Sequence, residues 1–145
     1  MPTGICGKNL TWTLDGGALT INGAGGMYDY YYGGNPWFAQ KDLIQRVVVN
    51  EGVTKIGQRA FQYCGKLSEI ILPDTLEEIG KEAFWYCKKL KSITFPPRVR
   101  RIGYDIFFGC KNLGTIYYRK IYRNRMETLK RKLSAGNNAK LILLP

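Results

Sequence analysis

The residues best able to do chemistry are four cysteines, three of which stand 23 residues apart. Thiolates bind zinc or pair as disulfides, and both uses have recognisable spacings. No Cys-x-x-Cys pair occurs here, and Cys64, Cys87 and Cys110 share one position of an internal repeat. Stacked copies would lie about 5 Å apart, which permits a disulfide but leaves one of three thiols over. We predict free, buried thiols in this column, and we assign Cys6 to a separate N-terminal cap.

Acid–base chemistry has few candidates, because the chain contains no histidine. This removes the usual catalytic triads and histidine zinc sites. The available acids stand beside lysines and arginines at loop or outer positions of the repeat, and they are Glu77, Glu78, Glu82 and Asp105. Solvated surface charge explains them better than a catalytic pair does. We therefore predict that the protein is not an enzyme and has no catalytic residue, metal site or cofactor.

Charge is the strongest compositional signal. The chain has 22 Lys/Arg against 11 Asp/Glu, a net charge of +11. Residues 1–72 hold 6 basic and 5 acidic residues, whereas residues 73–145 hold 16 and 6. The basic character therefore belongs to the C-terminal half, which fits an anionic partner.

Three consecutive segments repeat with a period of 23 residues. They read VTKIGQRAFQYCGKLSEIILPDT from Val53, LEEIGKEAFWYCKKLKSITFPPR from Leu76 and VRRIGYDIFFGCKNLGTIYYRK from Val99. The columns shared by all three copies are, by their first members, Val53, Ile56, Gly57, Phe61, Cys64, Leu67, Ile70 and Leu72. A fixed period of this length indicates a repeat architecture.

Each copy predicts the same local structure. The Leu-x-x-Ile-x-Leu segment is typical of a short strand with its apolar residues facing inward. Val-x-x-Ile-Gly predicts a second extended piece, and Ala-Phe-x-x-Cys predicts a helical or 3₁₀ turn after a bend at the glycine. No copy can bury its apolar side alone, so the copies must stack, with strands about 4.8 Å apart.

Imperfect copies flank the three clear ones. One step back, the column positions hold Phe38, Ile44, Val47 and Val49. One step forward, Ala139 and Leu141 fall on the Ile and Leu columns of the strand. We therefore predict four to five coils.

The pattern IGxxAFxxC-xxL-xxIxLP resembles the BspA-like leucine-rich repeats of bacterial surface proteins. The stretch CGKNLTWTLDGGALTINGAGGMYDY, followed by Pro36-Trp37, resembles the leader that often precedes those repeats. The resemblance covers nearly the whole chain. It implies an α/β fold, a short right-handed leucine-rich-repeat solenoid of 23-residue coils, capped by an N-terminal β-hairpin and by a C-terminal helix plus strand.

We predict one structural domain with three segments, an N-terminal cap and Gly/Tyr-rich loop (1–36), the repeats (37–118) and a basic C-terminal cap (119–145). Alternating apolar residues over 10–21, with Asp15-Gly16-Gly17 between them, predict the hairpin. Tyrosines in the loop over residues 23–36 either contact a partner or pack over the cap.

Apolar residues at helical spacing predict a C-terminal helix over 119–134, and they are Tyr122, Met126, Leu129 and Leu133. Gly136 ends this helix, and a final strand from Ala139 to Leu144 closes the stack. The helix covers the last coil while its cations stay solvated, so it can cap and also attract anions.

If the solenoid binds a partner, the usual surface is the strand-lined, concave one. Its outward positions form two columns, and they are Arg46, Glu69, Ser92 and Thr115, then Val48, Ile71, Thr94 and Tyr117. A flanking column holds Gln45, Ser68, Lys91 and Gly114. These positions show no acid pair and no metal set. Our first hypothesis is a non-catalytic module that binds a protein or a glycan, in adhesion or surface display.

The alternative hypothesis is a binder of polyanions, whether nucleic acid, anionic polysaccharide or an acidic membrane surface. Its candidate residues are basic positions of the C-terminal half, namely Arg98, Arg100, Arg101, Arg119, Lys120, Arg123, Arg125, Lys130, Arg131 and Lys132. Tyrosines interleave with some of them, as suits single strands, but no recognised nucleic-acid motif is present.

The family resemblance implies an extracellular or cell-surface location. The sequence has no apolar run long enough to cross a membrane. Its first residues have neither the basic nor the apolar region of a signal peptide. These first residues fit either a cytosolic protein or a mature secreted domain. We expect the secreted domain, because the family resemblance favours it.

Overall fold

The computed structural model of the protein describes residues 1–119 and 131–145, which wind into a β-solenoid of about five turns. Its strands are β1 Thr3–Gly7, β2 Leu10–Asp15, β3 Ala18–Gly23, β4 Gly25–Gly26, β5 Arg46–Val49, β6 Val53–Ile56, β7 Glu69–Ile71, β8 Glu78–Ile79, β9 Ser92–Thr94, β10 Arg101–Ile102, β11 Thr115–Arg119 and β12 Lys140–Leu144. Helical structure in the described residues is limited to a 3₁₀ helix, Phe38–Leu43, and residues 131–134.

A long sheet forms one side of the solenoid. Its strands follow the order β1-β2-β3-β5-β7 and then β9-β11-β12. Val47 lies beside Ile70, and Ile93 lies beside Ile116, so the predicted 23-residue period is confirmed at both steps. Among the described residues no strand pairing joins β7 to β9, so the sheet is split at that step.

The predicted N-terminal hairpin is confirmed, because β2 and β3 pair antiparallel along their whole length. Gly16 and Gly17 form its two-residue turn with φ of 56° and 83°, as a type I′ turn requires. β3 then pairs parallel with β5, so the hairpin extends the repeat sheet as well as covering its end. The outer strand β1, which pairs with β2, was not predicted.

A second sheet has the order β4-β6-β8-β10. Its strands β6, β8 and β10 form from the Val-x-x-Ile-Gly segments as predicted, whereas β4 comes from the Gly/Tyr-rich loop and was not predicted. The glycine that follows each strand is needed for space and not for a positive φ. A Cβ atom on Gly80 would lie 2.5 Å from the backbone nitrogen of Gln58 in the preceding coil. Any larger residue there would push the coils apart.

Turns form the third side of each coil. In place of the predicted helical or 3₁₀ turn, the backbone amides bond alternately to carbonyls of their own coil and to carbonyls of the next coil. The amides of Ala60 and Cys64 bond locally to carbonyls three residues back, whereas those of Phe61 and Tyr63 bond to the next coil at 2.8 Å. This alternation needs left-handed backbone at recurring positions. Those positions are Arg59, Tyr63, Glu82, Tyr86, Asp105 and Gly109.

The core runs between the three sides as columns of like residues. Phe61, Phe84 and Phe107 stack nearly parallel, with ring centroids 5.5 and 5.6 Å apart, and all are fully buried. The ring that precedes Phe61 is Trp37, at 5.4 Å, and not Phe38 as the 23-residue step predicted. The first coil has a 3₁₀ helix in place of the turn, which moves its aromatic position by one residue.

The C-terminal coil is two residues longer than predicted. Ile116 lies beside Leu141, and Tyr118 lies beside Leu143, a step of 25 residues. The prediction that Ala139 would align with Ile116 is therefore wrong, although Ala139 and Leu141 both pack against the core. The sequence between the two strands does not follow the repeat pattern.

Part of the predicted C-terminal helix lies outside the described residues, including Tyr122, Met126 and Leu129. Its described end is helical, Leu133 is fully buried, and Gly136 has a φ of 74°. These three features agree with a capping helix that ends at the glycine.

Candidate functional site

The strand register places the eight predicted ligand-binding residues in two rows across the outer face of the long sheet. The first row contains Arg46, Glu69, Ser92 and Thr115, and the second contains Val48, Ile71, Thr94 and Tyr117. Strand neighbours within a row lie about 5 Å apart, so one ligand can touch several coils at once. The period-2 alternation of strands, read from the repeat, was sufficient to find both rows.

Both rows continue into strands that the sequence analysis did not include. Thr20 lies beside Val48 and Ile142 lies beside Tyr117, so the second row runs from the hairpin to the last strand. Ala18 and Lys140 extend the first row in the same way. The rows therefore span the length of the solenoid, apart from the split between β7 and β9.

The two rows differ in chemical character. The first carries charge, but Arg46 and Glu69 neutralise each other through an ion pair of 3.2 Å. The second consists of hydroxyl and apolar side chains, and Ile71 and Ile142 are each 41% exposed. Apolar groups left in water along a sheet favour contact with a partner that carries apolar patches of its own.

A cavity of about 220 Å³ opens where the sheet is split. Ile71 and Thr94 of the second row line it, and Asp74 and Arg119 bring opposite charges to its wall. Small-molecule sites measure roughly 300–1,000 Å³. This cavity is smaller, so its size suits one side chain or one sugar ring of a larger ligand.

The structure does not gather the predicted polyanion-binding residues into one patch. Arg100 pairs with Glu77 at 3.1 Å, and Arg101 pairs with Glu78 at 2.6 Å, so carboxylates neutralise both cations. Lys132 donates a 2.7 Å hydrogen bond to the carbonyl of Ile102. These three cations are therefore engaged by the fold.

The other members of that set are dispersed or undescribed. Arg98 and Arg131 are exposed, and Arg119 lines the cavity at the sheet split. Arg131 lines a separate opening of about 480 Å³ beside Tyr104. Four members lie outside the described residues, and they are Lys120, Arg123, Arg125 and Lys130.

A different group of cations does come together, and the charge pattern of the sequence halves did not predict it. Five exposed lysines lie where the chain enters β7, β9 and β11, and we call them the lysine edge: Lys66, Lys88, Lys89, Lys91 and Lys111. None of them belongs to an ion pair formed within the described residues. The 23-residue spacing of Lys66 and Lys89, and of Lys88 and Lys111, was the signal that could have revealed them.

The cysteines are placed as predicted, free and buried. The thiols of Cys87 and Cys110 donate to the carbonyls of Phe61 and Phe84 in the preceding coil, at 3.2 and 3.0 Å. Burial raises the pKa of Cys64 to about 12. A thiol with so high a pKa is a poor nucleophile and a poor metal ligand.

Three of the four predicted acids are on the surface, whereas the side chain of Glu82 is only 16% exposed. Glu77 and Glu78 form the ion pairs given above, and Glu82 pairs with Arg59 at 3.2 Å, while Asp105 is exposed. In residues 1–119 and 131–145 no group of His, Cys, Asp and Glu is arranged to hold a metal ion.

The tyrosine-rich loop is divided between the two roles proposed for it. Tyr30 packs edge-on against Trp37, and its hydroxyl donates to the carbonyl of Cys6 at 3.1 Å. Tyr31, in contrast, is 87% exposed. Tyr28 and Tyr32 are also exposed, so the loop packs over the N-terminal coil and still presents three aromatic side chains to solvent.

Stacked coils with an open, strand-lined face define a leucine-rich-repeat solenoid, a class of scaffold that presents extended binding surfaces. A family model described as the BspA type leucine-rich repeat region, in six copies, matches residues 34–131. The chain therefore belongs to the BspA-type leucine-rich repeat family. No curated protein sequence matches the chain.

Solved structures of bacterial proteins share this fold. A leucine-rich repeat protein from Eubacterium ventriosum has 22% sequence identity and a TM-score of 0.59, with 83% of this chain and 44% of that chain covered. A leucine-rich cell surface protein from Faecalibacterium prausnitzii has 19% identity and a TM-score of 0.52, with 82% and 45% covered. The chain spans less than half the length of either protein. Within the described residues, no helix has the length and apolar character needed to cross a membrane.

Proposed function

We propose that this protein is a non-catalytic binding module whose long sheet receives a protein or a glycan. The observation that carries the proposal is the second row of the sheet, where hydroxyl and apolar side chains continue from the hairpin to β12. Half-exposed Ile71 and the cavity beside it give this surface an anchoring point. Interfaces of this kind draw most of their affinity from one or two anchors in pockets.

We further propose that the module acts in adhesion at the surface of a bacterial cell. Support comes from the family, and from the F. prausnitzii neighbour described as a cell surface protein. An extended sheet suits this task because many weak contacts along it can add up to a useful affinity.

The test is a binding screen of the purified protein on arrays of extracellular-matrix proteins and of glycans, followed by variants of the rows. Ile71→Ser removes the exposed anchor, and Thr94→Arg fills the mouth of the cavity with a long cation. Both positions are exposed, so the core stays intact. Tyr104→Ser is the matched control, because Tyr104 is 72% exposed on the turn side.

We expect each row variant to weaken binding to the identified partner by about tenfold or more, as the loss of an interface anchor does. The Tyr104→Ser control should bind within about twofold of the wild type. Equal binding by all three variants would place the partner on another surface and refute the proposed site. Circular dichroism of each variant would verify that it is folded.

A further inference from the structure

The two edges of the long sheet differ in how their cations are neutralised. On the side of the second sheet, cations face carboxylates: Lys55 with Asp29 at 3.1 Å, Arg59 with Glu82 and Arg101 with Glu78. On the opposite side, the lysine edge carries five ammonium groups across three coils without a carboxylate partner in the described residues. Unneutralised like charges side by side destabilise a fold, so this edge is not explained by stability.

The lysine edge borders a groove of about 690 Å³. Lys66, Lys89 and Lys91 line it, together with Gln45, Ser68, Asn112 and one carboxylate, that of Asp42. Lys41 neutralises this carboxylate through an ion pair of 3.2 Å, so the net charge of the groove stays positive. The coils are in direct register here, since the side-chain amide of Asn112 donates to the carbonyl of Lys88 at 2.7 Å. The groove therefore crosses successive coils and presents positive charge at intervals set by the coil spacing, about 4.8 Å.

We propose that this groove binds an acidic polysaccharide. Lys66 of one coil and Lys89 and Lys91 of the next can each meet a carboxylate or sulfate group of the chain. Amide and hydroxyl groups of Gln45, Ser68 and Asn112 stand between the lysines, where they can hydrogen-bond to sugar hydroxyls. A linear chain with an anionic group on successive sugar rings matches a groove whose lysines lie on two successive coils.

The lining favours a polysaccharide over a nucleic acid. Single-stranded nucleic acids are held by aromatic side chains on which bases stack, and phosphates are often gripped by arginine forks. The described lining contains neither an aromatic residue nor an arginine. This site is also separate from the basic residues that the sequence predicted for polyanions, and from the two rows proposed to bind a protein or glycan.

The test compares two triple variants that remove the same charge. Lys66→Gln, Lys89→Gln and Lys91→Gln neutralise the groove. Lys8→Gln, Lys55→Gln and Lys81→Gln remove the same charge outside the groove and outside the other proposed binding surfaces. Fluorescence anisotropy would measure binding of labelled heparin, labelled alginate and labelled oligothymidylate at several salt concentrations. Heparin carries sulfate groups, whereas the only anionic groups of alginate are carboxylates, so comparing the two shows which group the protein recognises. The oligonucleotide tests whether a nucleic acid binds instead.

We expect the wild type to bind heparin or alginate and the groove variant to bind it about tenfold more weakly, since each exposed ion pair contributes modestly. The slope of log Kd against log salt should fall by about 2 or more, because fewer counterions are released. The control variant should retain affinity within about threefold. Equal losses in both variants, tighter binding of oligothymidylate than of either polysaccharide, or no polysaccharide binding at low salt would each overturn the proposal.

Discussion

The stacked phenylalanine column makes the replacement Phe84→Leu a sharp test of what holds the coils together. Phe84 is fully buried between Phe61 and Phe107, nearly parallel to both, at 5.5 and 5.6 Å. Each aromatic pair contributes about 0.5–1.5 kcal/mol beyond burial, and an apolar swap of similar size costs under about 1.5 kcal/mol. We therefore expect Phe84→Leu to lower the free energy of unfolding by about 2–3 kcal/mol.

Phe95→Leu is the matched control, because Phe95 is equally buried but has one tilted ring contact, to Phe107 at 6.0 Å. It should cost about 1 kcal/mol less than Phe84→Leu. Urea unfolding followed by circular dichroism gives both values, provided that the m-value is unchanged. A double-mutant cycle between Phe61→Leu and Phe84→Leu should give a coupling of about 0.5–1.5 kcal/mol. Equal costs at the two positions together with zero coupling would refute stacking as the source of the difference.

Further predictions concern the coil bends and the buried thiols. Gly80→Ala should destabilise the protein by about 3 kcal/mol in a urea titration, because its Cβ would meet the backbone of the preceding coil. Gly65→Ala is the control, because its Cβ would have no neighbour within 4 Å. It should change the free energy of unfolding by less than about 0.5 kcal/mol. Cys64 keeps its proton in the folded state up to a pKa of about 12, whereas the unfolded thiol releases it above about 9. Its contribution to the free energy of unfolding is therefore complete below pH 9 and falls by about 1.4 kcal/mol per pH unit between these two pKa values. The free energy of unfolding of Cys64→Ala should accordingly fall less steeply with rising pH. An identical pH dependence in the two proteins would contradict the raised pKa of Cys64. A disulfide-exchange reagent should leave the thiols of the native protein unmodified over minutes and modify all four after denaturation; rapid reaction of the folded protein would disprove their burial.

The repeat period was sufficient to predict the sheet rows and the cysteine column, and alternating apolar residues around Asp15-Gly16-Gly17 were sufficient to predict the hairpin, because these features follow from local spacing alone. Predictions failed where a coil departs from 23 residues. Trp37 replaced Phe38 in the aromatic column, and Leu141 replaced Ala139 beside Ile116, since insertions shift a register without leaving a mark on the pattern. The turns were also missed, because left-handed backbone at Arg59 or Tyr63 contradicts the preference of those residue types.

The candidate surfaces were predicted less completely than the fold. Counting charge by halves of the sequence drew attention to Arg100 and Arg101, which the structure pairs with glutamates. Neutralisation depends on neighbours 23 residues away, and only an alignment of the coils reveals it. The same alignment brings Lys66, which is isolated in the sequence, beside Lys89 of the short run Lys88-Lys89-Leu90-Lys91.

The split between β7 and β9 makes the solenoid mechanically uneven. At this step the coils are joined by the second sheet, through Lys55 beside Glu78, and by the turn ladder, through Phe61 to Ala83. In a linear array the weakest junction sets where the molecule opens first. The junction would act as a hinge line between an N-terminal and a C-terminal block. A ligand bound across the cavity there would contact both blocks. Its binding free energy would stabilise the closed junction and so reduce bending of the solenoid at this step.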